Sequence, residues 1–388
     1  MSKASVTIYD VAAKAGVGIG TVSRVLNQSQ RLAPETRARV LKVIDELRYQ
    51  PHAYAQGLAK KKTFAIAAIV PFFTGYFYVE LLKGIQRAVS KHKYDLVLYS
   101  ADDLKKTGAY IRRTLVERRV DGVLLVSLRM PDKYSDEFLR RQLPVVLVDG
   151  YHPAHESITV HNKDGAYGAV KHLISLGHRA IAIVNGHLES APAQQRLAGY
   201  QQAMSEAGLE MLPELMLSSD ELHGEAMALN DGFNKEVGYL AMQRLLQNPG
   251  ALPSAVFMAS DIQAMGAIRA IREAHLRMPD DIAMVGFDDI ELAEYLGLTT
   301  VKQPMFQMGE QAIERLLEVM NNPSAKRQHR FVDTELVIRE SSLCNILIPP
   351  RPGTRQVDVL TKTFCSEAKT QDTRLRSTRD IEADEPLT

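Results

Sequence analysis

One arginine near the amino terminus stands in a pattern that suits base reading in nucleic acids. Arg24 lies in the run Thr21-Val22-Ser23-Arg24, within a predicted helix from about Ile19 to Leu26. A guanidinium can form two hydrogen bonds to guanine, which is worth about 1–3 kcal/mol of discrimination between bases. A contact with a phosphate oxygen is the alternative use of this side chain. The pattern predicts a polyanionic partner for the helix.

The sequence contains no arrangement of residues that suits catalysis. Ser23 has no base beside it in the sequence, so we do not interpret it as a nucleophile. The two cysteines, Cys344 and Cys365, have neither the spacing of a zinc site nor that of a disulfide framework, and two reduced thiols are the simpler interpretation. A glycine-rich phosphate loop is also missing. We therefore expect no enzyme activity, no cofactor and no metal site.

The charge of the chain is distributed unevenly. Residues 1–62 contain eleven Lys and Arg and four Asp and Glu, which gives a net charge of +7, whereas the remaining residues have a net charge of −6. A basic module joined to a mildly acidic body favours a nucleic-acid partner for the module. A solvated charged surface without a partner is the alternative interpretation.

Three short helices are predicted to position Arg24. Thr7 and Asp10 have the spacing of a capping box that opens a helix through Ala15. Gly16-Val17-Gly18 then separates this helix from the one that contains Arg24. A third helix starts at Pro34, because proline is favoured at the first helical position. This arrangement is typical of a helix-turn-helix domain.

The body of the chain is predicted to be an α/β structure with parallel sheets. After a small, polar and basic linker at residues 51–62, short apolar runs alternate with helical patterns, which indicates doubly wound sheets. About 280 residues are too many for one such sheet, so we expect two lobes with a cleft at the carboxyl ends of the strands. The predicted strands are Phe64–Val70, Asp95–Tyr99, Gly122–Val126, Val145–Val148, Ala180–Val184, Ala255–Ala259 and Ile282–Phe287.

Several motifs resemble those of the LacI/GalR family of bacterial repressors. The matching segments are Val6-Thr7-Ile8-Tyr9-Asp10-Val11-Ala12, Ala15-Gly16-Val17, Thr21 to Asn27, Thr36-Arg37, Leu47, Tyr49, Pro51, Ala55, Leu58 and Ile338-Arg339-Glu340-Ser341. The resemblance implies a helix-turn-helix headpiece at 1–50, a hinge helix at 51–62 and a periplasmic-binding-protein-like core at 63–342. Within the core, it implies one lobe at 63–162 plus 291–322 and the other at 163–290 plus 323–342. Residues 343–388 are rich in proline, charge and hydroxyl groups, and we expect disorder there.

The resemblance also implies a set of DNA contacts. Leu58 matches the family's minor-groove wedge, and packing of Leu58 on the body is the alternative. Asn27 could instead cap the carboxyl end of its helix. The sequence departs from the family at Gly18, Ile19 and Gly20, where a capping serine and two base-reading residues are usual. The predicted DNA-binding residues are Thr7, Tyr9, Ile19, Thr21, Ser23, Arg24, Asn27 and Leu58.

Positions in the core match the family's effector site. An arginine, carboxylates and an aromatic face suit a polyhydroxylated ring, so the resemblance favours a sugar or sugar derivative. The alternatives are a helix cap for Asp261, a structural partner of an amide for Asp149 and a core position for Phe233. We expect Gln303 to belong to the lobe opposite the one that contains Arg196 and Asp261. The predicted effector-binding residues are Phe73, Asp102, Asp149, Arg196, Phe233, Asp261 and Gln303.

Taken with the resemblance, these patterns predict a cytoplasmic bacterial transcription regulator, associated with the nucleoid when bound. Its expected partners are double-stranded operator DNA, a small-molecule effector and a second copy in a homodimer, with no membrane contact. A secreted sugar-binding protein is disfavoured by the basic headpiece and the missing signal peptide. The remaining alternative is a global carbon-catabolite regulator that responds to a phosphorylated carrier protein.

Overall fold

The computed structural model describes residues 6–26, 32–49, 62–101, 104–117, 119–222, 230–248 and 252–343. The chain divides into two compact units, one of residues 1–64 with 119–121 and one of the remaining core residues. Three predicted site residues, Asn27, Leu58 and Asp102, lie outside the described residues. Most of the predicted hinge, residues 51–61, and the predicted tail from residue 344 also lie outside them.

The first unit contains the three predicted helices. They are α1 Ile8–Ala15, α2 Ile19–Leu26 and α3 Pro34–Glu46. Val11, Val22 and Val40 are fully buried between them, since apolar residues at helical spacing share one face of each helix. Gly16 ends α1 with a left-handed φ of 63°, a conformation that favours glycine. The helix-turn-helix prediction is confirmed.

The first lobe of the core is a six-stranded parallel sheet flanked by helices. The strand order is β11-β5-β4-β3-β1-β2. The strand sequences are almost continuously apolar in β1, β3 and β4, as expected for strands covered on both faces. The elements are β1 Ala65–Val70, α4 Tyr76–Lys91, β2 Asp95–Ser100, α5 Leu104–Glu117, β3 Gly122–Val126, α6 Asp132–Arg141, β4 Val145–Val148, β5 Glu156–Val160, α12 Met305–Asn321 and β11 His329–Val332.

The second lobe repeats this architecture. Its six strands have the order β12-β10-β9-β8-β6-β7, and all pair in parallel except β10 with β12. The elements are α7 Asn162–Ser175, β6 Ile181–Asn185, α8 Ala191–Glu206, β7 Met216–Ser218, α9 Lys235–Gln247, β8 Ala255–Met258, α10 Asp261–Glu273, β9 Ala283–Asp288, α11 Glu291–Tyr295, β10 Thr299–Lys302 and β12 Glu335–Val337. The predicted α/β fold with two doubly wound lobes is confirmed.

The chain crosses between the lobes at positions that differ from the predicted boundaries. Residues 291–302 were expected in the first lobe, but β10 pairs with β9 in the second sheet. Residues 323–342 were expected in the second lobe, but β11 pairs with β5 in the first sheet. Four strands contain polar residues and were therefore not predicted from the apolar runs of the sequence. They are β5, β10, β11 and β12.

A continuous apolar core stabilises the two lobes. It includes Ile66 and Leu124 from the first sheet and Ile181, Val285 and Phe287 from the second, all nearly inaccessible to solvent. Burial of one such side chain stabilises the fold by about 1.5–3 kcal/mol. Among the described helices, none combines the length and the apolar composition that crossing a membrane requires.

Candidate functional site

The second helix of the headpiece presents a solvent-facing surface opposite its buried side. Val22 and Val25 are buried, and 3.6 residues per turn place Gly20 and Arg24 on the opposite face. Ile19 begins the helix beside the buried side and is 40% exposed, which leaves its methyl groups accessible. The exposed positions of α2 therefore include one guanidinium, one position without a side chain and, at the start of the helix, one apolar side chain.

The start of α1 holds further predicted DNA contacts. Tyr9 is 67% exposed. The backbone N–H and the hydroxyl of Thr7 both donate to the Asp10 carboxylate, at 2.8 and 2.7 Å. These bonds lower the pKa of Asp10, since they favour its charged form. Thr21 and Ser23 are half-buried in α2, so they offer less surface than Tyr9 or Arg24.

In the core, Asp149 follows β4 at the carboxyl edge of the first sheet. Its φ of 52° is left-handed and turns the chain sharply after the strand. The hydroxyl of Ser127, which follows β3, donates to Asp149 Oδ2 at 2.7 Å. Asp149 Oδ1 is buried and accepts no hydrogen bond from any described residue. Burial raises the pKa of this carboxyl, whereas Arg196 and Ser127 oppose the rise.

Arg196 on α8 reaches the same place from the second lobe. It is 3% exposed, and its Nε donates to Asn162 Oδ1 at 2.9 Å. One terminal nitrogen donates to the carbonyl oxygen of Ala259 at 2.5 Å. The guanidinium lies 3.8 Å from the ring centroid of Phe287 and 5.3 Å from that of Phe233. Burial lowers the pKa of Arg196, whereas the carboxylates of Asp288, Asp149 and Asp261 oppose this effect.

Asp288, at the end of β9, faces Arg196 and was not among the predicted residues. Its Oδ1 lies 3.9 Å from an Arg196 nitrogen and accepts a 2.6 Å hydrogen bond from Gln303 Nε2. Burial raises the pKa of Asp288 to about 7, although Arg196 and Gln303 lower it. Gln303 follows β10 and lies beside the second sheet, contrary to the expectation that it belongs to the first lobe. Its Oε1 is buried and has no partner among the described residues.

Asp261 opens a helix, as expected, and its carboxylate is bonded within the second lobe. It is fully buried at the first position of α10, after the N-cap Ser260. Its two oxygens accept hydrogen bonds from the Ile290 backbone N–H at 3.0 Å and from the Thr300 hydroxyl at 2.6 Å. Burial raises the pKa of Asp261, and the neighbouring Asp288 adds to this effect. These bonds tie three segments of the second lobe together, and ligand contact by Asp261 stays a prediction.

The two aromatic residues predicted to bind the effector, Phe233 and Phe73, have different surroundings. Phe233 is half-buried near Arg196, as a platform for a ring requires. Phe73 is 44% exposed in the segment after β1, and within the described residues no ring or cation contact joins it to the cleft. Among the described residues, no group of three or more His, Cys, Asp or Glu side chains could hold a metal ion.

Two polar contacts connect the lobes across the cleft. The Tyr78 hydroxyl of α4 donates to Asn230 Oδ1 at 2.5 Å. Arg129, after β3, donates to Asp231 at 3.1 Å and also to Glu189. Burial raises the pKa of Tyr78, so its hydroxyl remains protonated and can donate. We refer to these two contacts as the lobe latch.

A cavity of about 270 Å³ opens beside the cleft. Residues of both lobes line it: Gly150, Tyr151, Thr159 and Phe331 from the first, and Asn162, Ala191, Pro192 and Gln195 from the second. The same Asn162 accepts the hydrogen bond from Arg196, so the cavity and the buried charges share a wall.

Sequence reasoning missed Ser127 and Asp288, although a simple rule could have found them. Both lie at the carboxyl end of an apolar strand, as Asp149 does, and ligands of doubly wound sheets bind at these ends. Tyr78 and Arg129 follow no such rule, because their position depends on how the second lobe approaches the first.

Comparisons with known proteins agree with this architecture. A profile described as "Bacterial regulatory proteins, lacI family" matches residues 7–52. A second profile, "Periplasmic binding protein-like domain", matches residues 170–342. The ribose operon repressor of Haemophilus influenzae is 34% identical over 339 residues, which cover 86% of this chain and 98% of the relative. The chain belongs to the LacI family.

Other members of the LacI family are similar along most of their length. Catabolite control protein A of Priestia megaterium is 32% identical over 322 residues, covering 82% of this chain and 93% of that protein. The structure of the lac repressor dimer bound to operator and the anti-inducer ONPF superposes with a TM-score of 0.75 at 28% identity, covering 88% of this chain and all of that one. This LacI-family chain is a DNA-binding transcriptional repressor, and its relatives regulate transcription rather than catalyse reactions.

Proposed function

We propose that this repressor controls carbohydrate-related genes and that a sugar or sugar derivative, bound between the core lobes, changes its affinity for the operator. One arrangement carries the proposal: residues of both lobes line the cavity beside the cleft, and Asn162 in its wall accepts a hydrogen bond from the buried Arg196. A ligand that contacts both lobes has different affinities for open and closed forms, which is the requirement for control.

The unpartnered Asp149 Oδ1 supports a ligand that donates hydrogen bonds. A buried acceptor without a partner costs about 1–3 kcal/mol, and a ligand hydroxyl would recover this free energy. Phe233 and Phe287 beside Arg196 supply apolar surface for the face of a ring. The similarity to a ribose operon repressor is consistent with a sugar.

We further propose that the repressor acts in the cytoplasm as a homodimer on a roughly palindromic operator. One short recognition helix reads too few bases for genomic specificity, and twofold symmetry doubles the site. The similarity to the lac repressor dimer supports this assembly. In each half-site, Arg24 would read a guanine and Ile19 a thymine methyl group, because both side chains are exposed on α2.

An operator titration with a library of neutral sugars tests the effector proposal. We expect one sugar to change the Kd for the operator in the wild type. Asp149→Asn should keep the Ser127 hydrogen bond, bind operator normally without effector and need about 10–100-fold more sugar, because a hydrogen bond to a charged group is worth about 1.5–3 kcal/mol. The matched control is Asp136→Asn on the exposed surface of α6.

Control by a phosphorylated carrier protein is the second candidate, and the similarity to catabolite control protein A favours it. It predicts that no sugar changes operator affinity, that Asp149→Asn behaves as the wild type, and that cell extract restores regulation. This result would overturn the sugar proposal without affecting the assignment to the LacI family.

A further inference from the structure

Two of the places where the chain passes between its compact units are neighbours in the fold. The unit that contains the headpiece ends at Phe64 and also includes residues 119–121, so Ala65 and Gly122 are the first core residues after these two crossings. Ala65 and Gly122 begin the parallel strands β1 and β3, which pair with each other. Both crossings therefore lead into adjacent strands of one sheet.

The carboxylate of Asp121 joins these two crossings. Its Oδ1 accepts a hydrogen bond from the backbone N–H of Thr63 at 2.7 Å and another from the Thr63 hydroxyl at 2.9 Å. Its Oδ2 accepts a third bond from the backbone N–H of Phe64 at 2.8 Å. Hydrogen bonds to an ionised acceptor are shorter and stronger than those between neutral groups. One side chain thus holds two consecutive residues at the end of the linker.

Phe64 has a backbone conformation that requires support. Its φ of 55° lies in the left-handed region, which is unfavourable for residues with a Cβ. The residue is 39% exposed, so its ring is not enclosed in the core. Such conformations persist where the surrounding contacts fix them, and they concentrate at functional sites and switch regions. The bond from the Phe64 N–H to Asp121 is one of the contacts that fix this residue.

A second carboxylate of the core shows what a purely local anchor looks like. Asp281 precedes β9 in the second lobe and accepts a hydrogen bond from the backbone N–H of Arg277 at 2.7 Å. It also accepts one from the side chain of the same residue at 3.0 Å. Asp281 ties a loop to the strand that follows it, whereas Asp121 ties the segment that leads to the DNA-binding helices.

We propose that Asp121 is a positioning residue for operator recognition, because its carboxylate fixes the direction in which the chain leaves the core towards the headpiece. The inference rests on the proposed homodimer, in which two headpieces must reach one operator at a set spacing. A fixed exit leaves less conformational freedom to be lost when both headpieces bind. Nonspecific binding depends on phosphate contacts and does not require this spacing.

Binding of the full-length repressor to two DNA duplexes tests the proposal. The wild-type repressor selects the first duplex from a random-sequence pool, and the second duplex has the same bases in shuffled order. We expect Asp121→Ala to weaken binding to the selected duplex at least about tenfold, which corresponds to about 1.4 kcal/mol. Binding to the shuffled duplex should stay as in the wild type. Asp121→Asn keeps one acceptor oxygen and should have an intermediate effect.

A control variant and a direct measurement of the anchor accompany this titration. Asp281→Ala removes a carboxylate that accepts a backbone N–H within the second lobe, and it should leave the affinity for both duplexes unchanged. Amide hydrogen exchange reports on the anchor itself. The N–H groups of Thr63 and Phe64 should exchange faster in Asp121→Ala than in the wild type, while β1 and β3 keep their protection.

The outcomes separate the inference from the proposed function. If Asp121→Ala binds the selected duplex as the wild type does, the inference is overturned and the proposed homodimer stands. An equal loss of affinity for both duplexes, or the same loss in Asp281→Ala, also overturns the inference, because neither result is specific to the exit of the chain. Light scattering tests the assembly, and a monomeric wild type bound to the selected duplex would overturn the proposed homodimer and the inference with it.

Discussion

Single residues in the cleft carry charge at a cost to the fold. Asp149, Asp261 and Asp288 are carboxyl groups whose pKa burial raises, and Arg196 is the guanidinium that interacts with all three. Removing carboxylates from water is expensive unless charges and hydrogen bonds compensate. The proposed effector site accounts for this arrangement, because ligand recognition requires a few directional polar groups.

The raised pKa of Asp288 leads to a prediction about how the stability of the fold depends on pH. Its pKa is about 7 in the folded protein and 3.8 in a model compound, so the folded state keeps a proton that the unfolded state has released between these values. The contribution of Asp288 to stability is therefore complete below about pH 4 and is lost as pH rises through 7. We expect the free energy of unfolding to fall as the pH rises from 5 to 8. This fall should be smaller in Asp288→Asn than in the wild type, by at least about 1 kcal/mol.

Urea unfolding at pH 5 and pH 8 measures this difference. Asparagine has nearly the same shape as aspartate, so at residue 288, whose φ is 128°, both side chains bear the same backbone conformation and the variant tests charge. Asp136→Asn, on the surface, is the control. Parallel pH dependences for Asp288→Asn and the wild type would contradict the prediction.

At the scale of one element, the recognition helix α2 is weakened by its own sequence. Gly18 precedes it and Gly20 lies in its first turn, so neither a strong N-cap nor a side chain with high helix propensity supports this end. Neither glycine is required by packing, because a Cβ at either position would meet no atom within 4 Å. Because Gly20 has no side chain to offer, we expect Ile19 and Arg24 to provide the contacts of this helix with DNA.

A matched pair of glycine substitutions tests this view of the headpiece. Gly20→Ala should stabilise α2 by about 0.5–1 kcal/mol, since alanine loses less conformational entropy in a helix. Gly16→Ala also has open space around it, but its φ of 63° should make the same substitution destabilising by about 1–2 kcal/mol. Amide hydrogen exchange of residues 8–26 measures both effects, and equal signs for the two variants would be the contrary result.

At the scale of the whole core, we expect the lobe latch to favour a closed arrangement of the two lobes. Tyr78 with Asn230, and Arg129 with Asp231 and Glu189, are the polar contacts that join the lobes on the side of the cleft. Because Arg129 is about one-third exposed, its ion pairs are screened by solvent and contribute modestly. A weak latch suits a regulator, since a ligand can shift the balance between two forms only when their free energies are similar.

Removal of the latch should open the core. We expect the double variant Tyr78→Phe and Arg129→Ala to increase the radius of gyration measured by small-angle X-ray scattering and to reduce the affinity for an effector of the closed form by about fivefold, which corresponds to ~1 kcal/mol. Arg269→Ala breaks an ion pair within the second lobe and is the control. An unchanged scattering profile would show that other contacts hold the lobes together.

Local patterns in the sequence determined much of this protein. The three headpiece helices and seven core strands were predicted from capping residues, glycines and apolar runs, because these features act within a few residues of the chain. The family motifs identified Asp149 and Arg196 as site candidates. The structure brings these two residues together in the cleft, and their contact with an effector is a prediction.

Only the tertiary structure decided which distant residues meet. Strand pairing places β10 in the second lobe, so Gln303 lies beside Asp288. It places β11 in the first lobe, so Phe331 lies at the cavity. The packing of the second lobe also places the Asp261 carboxylate within hydrogen-bond distance of Ile290 and Thr300. Register depends on the packing of whole sheets, and a spacing pattern in the chain does not encode it locally. The latch and the cavity exist because the two lobes face each other.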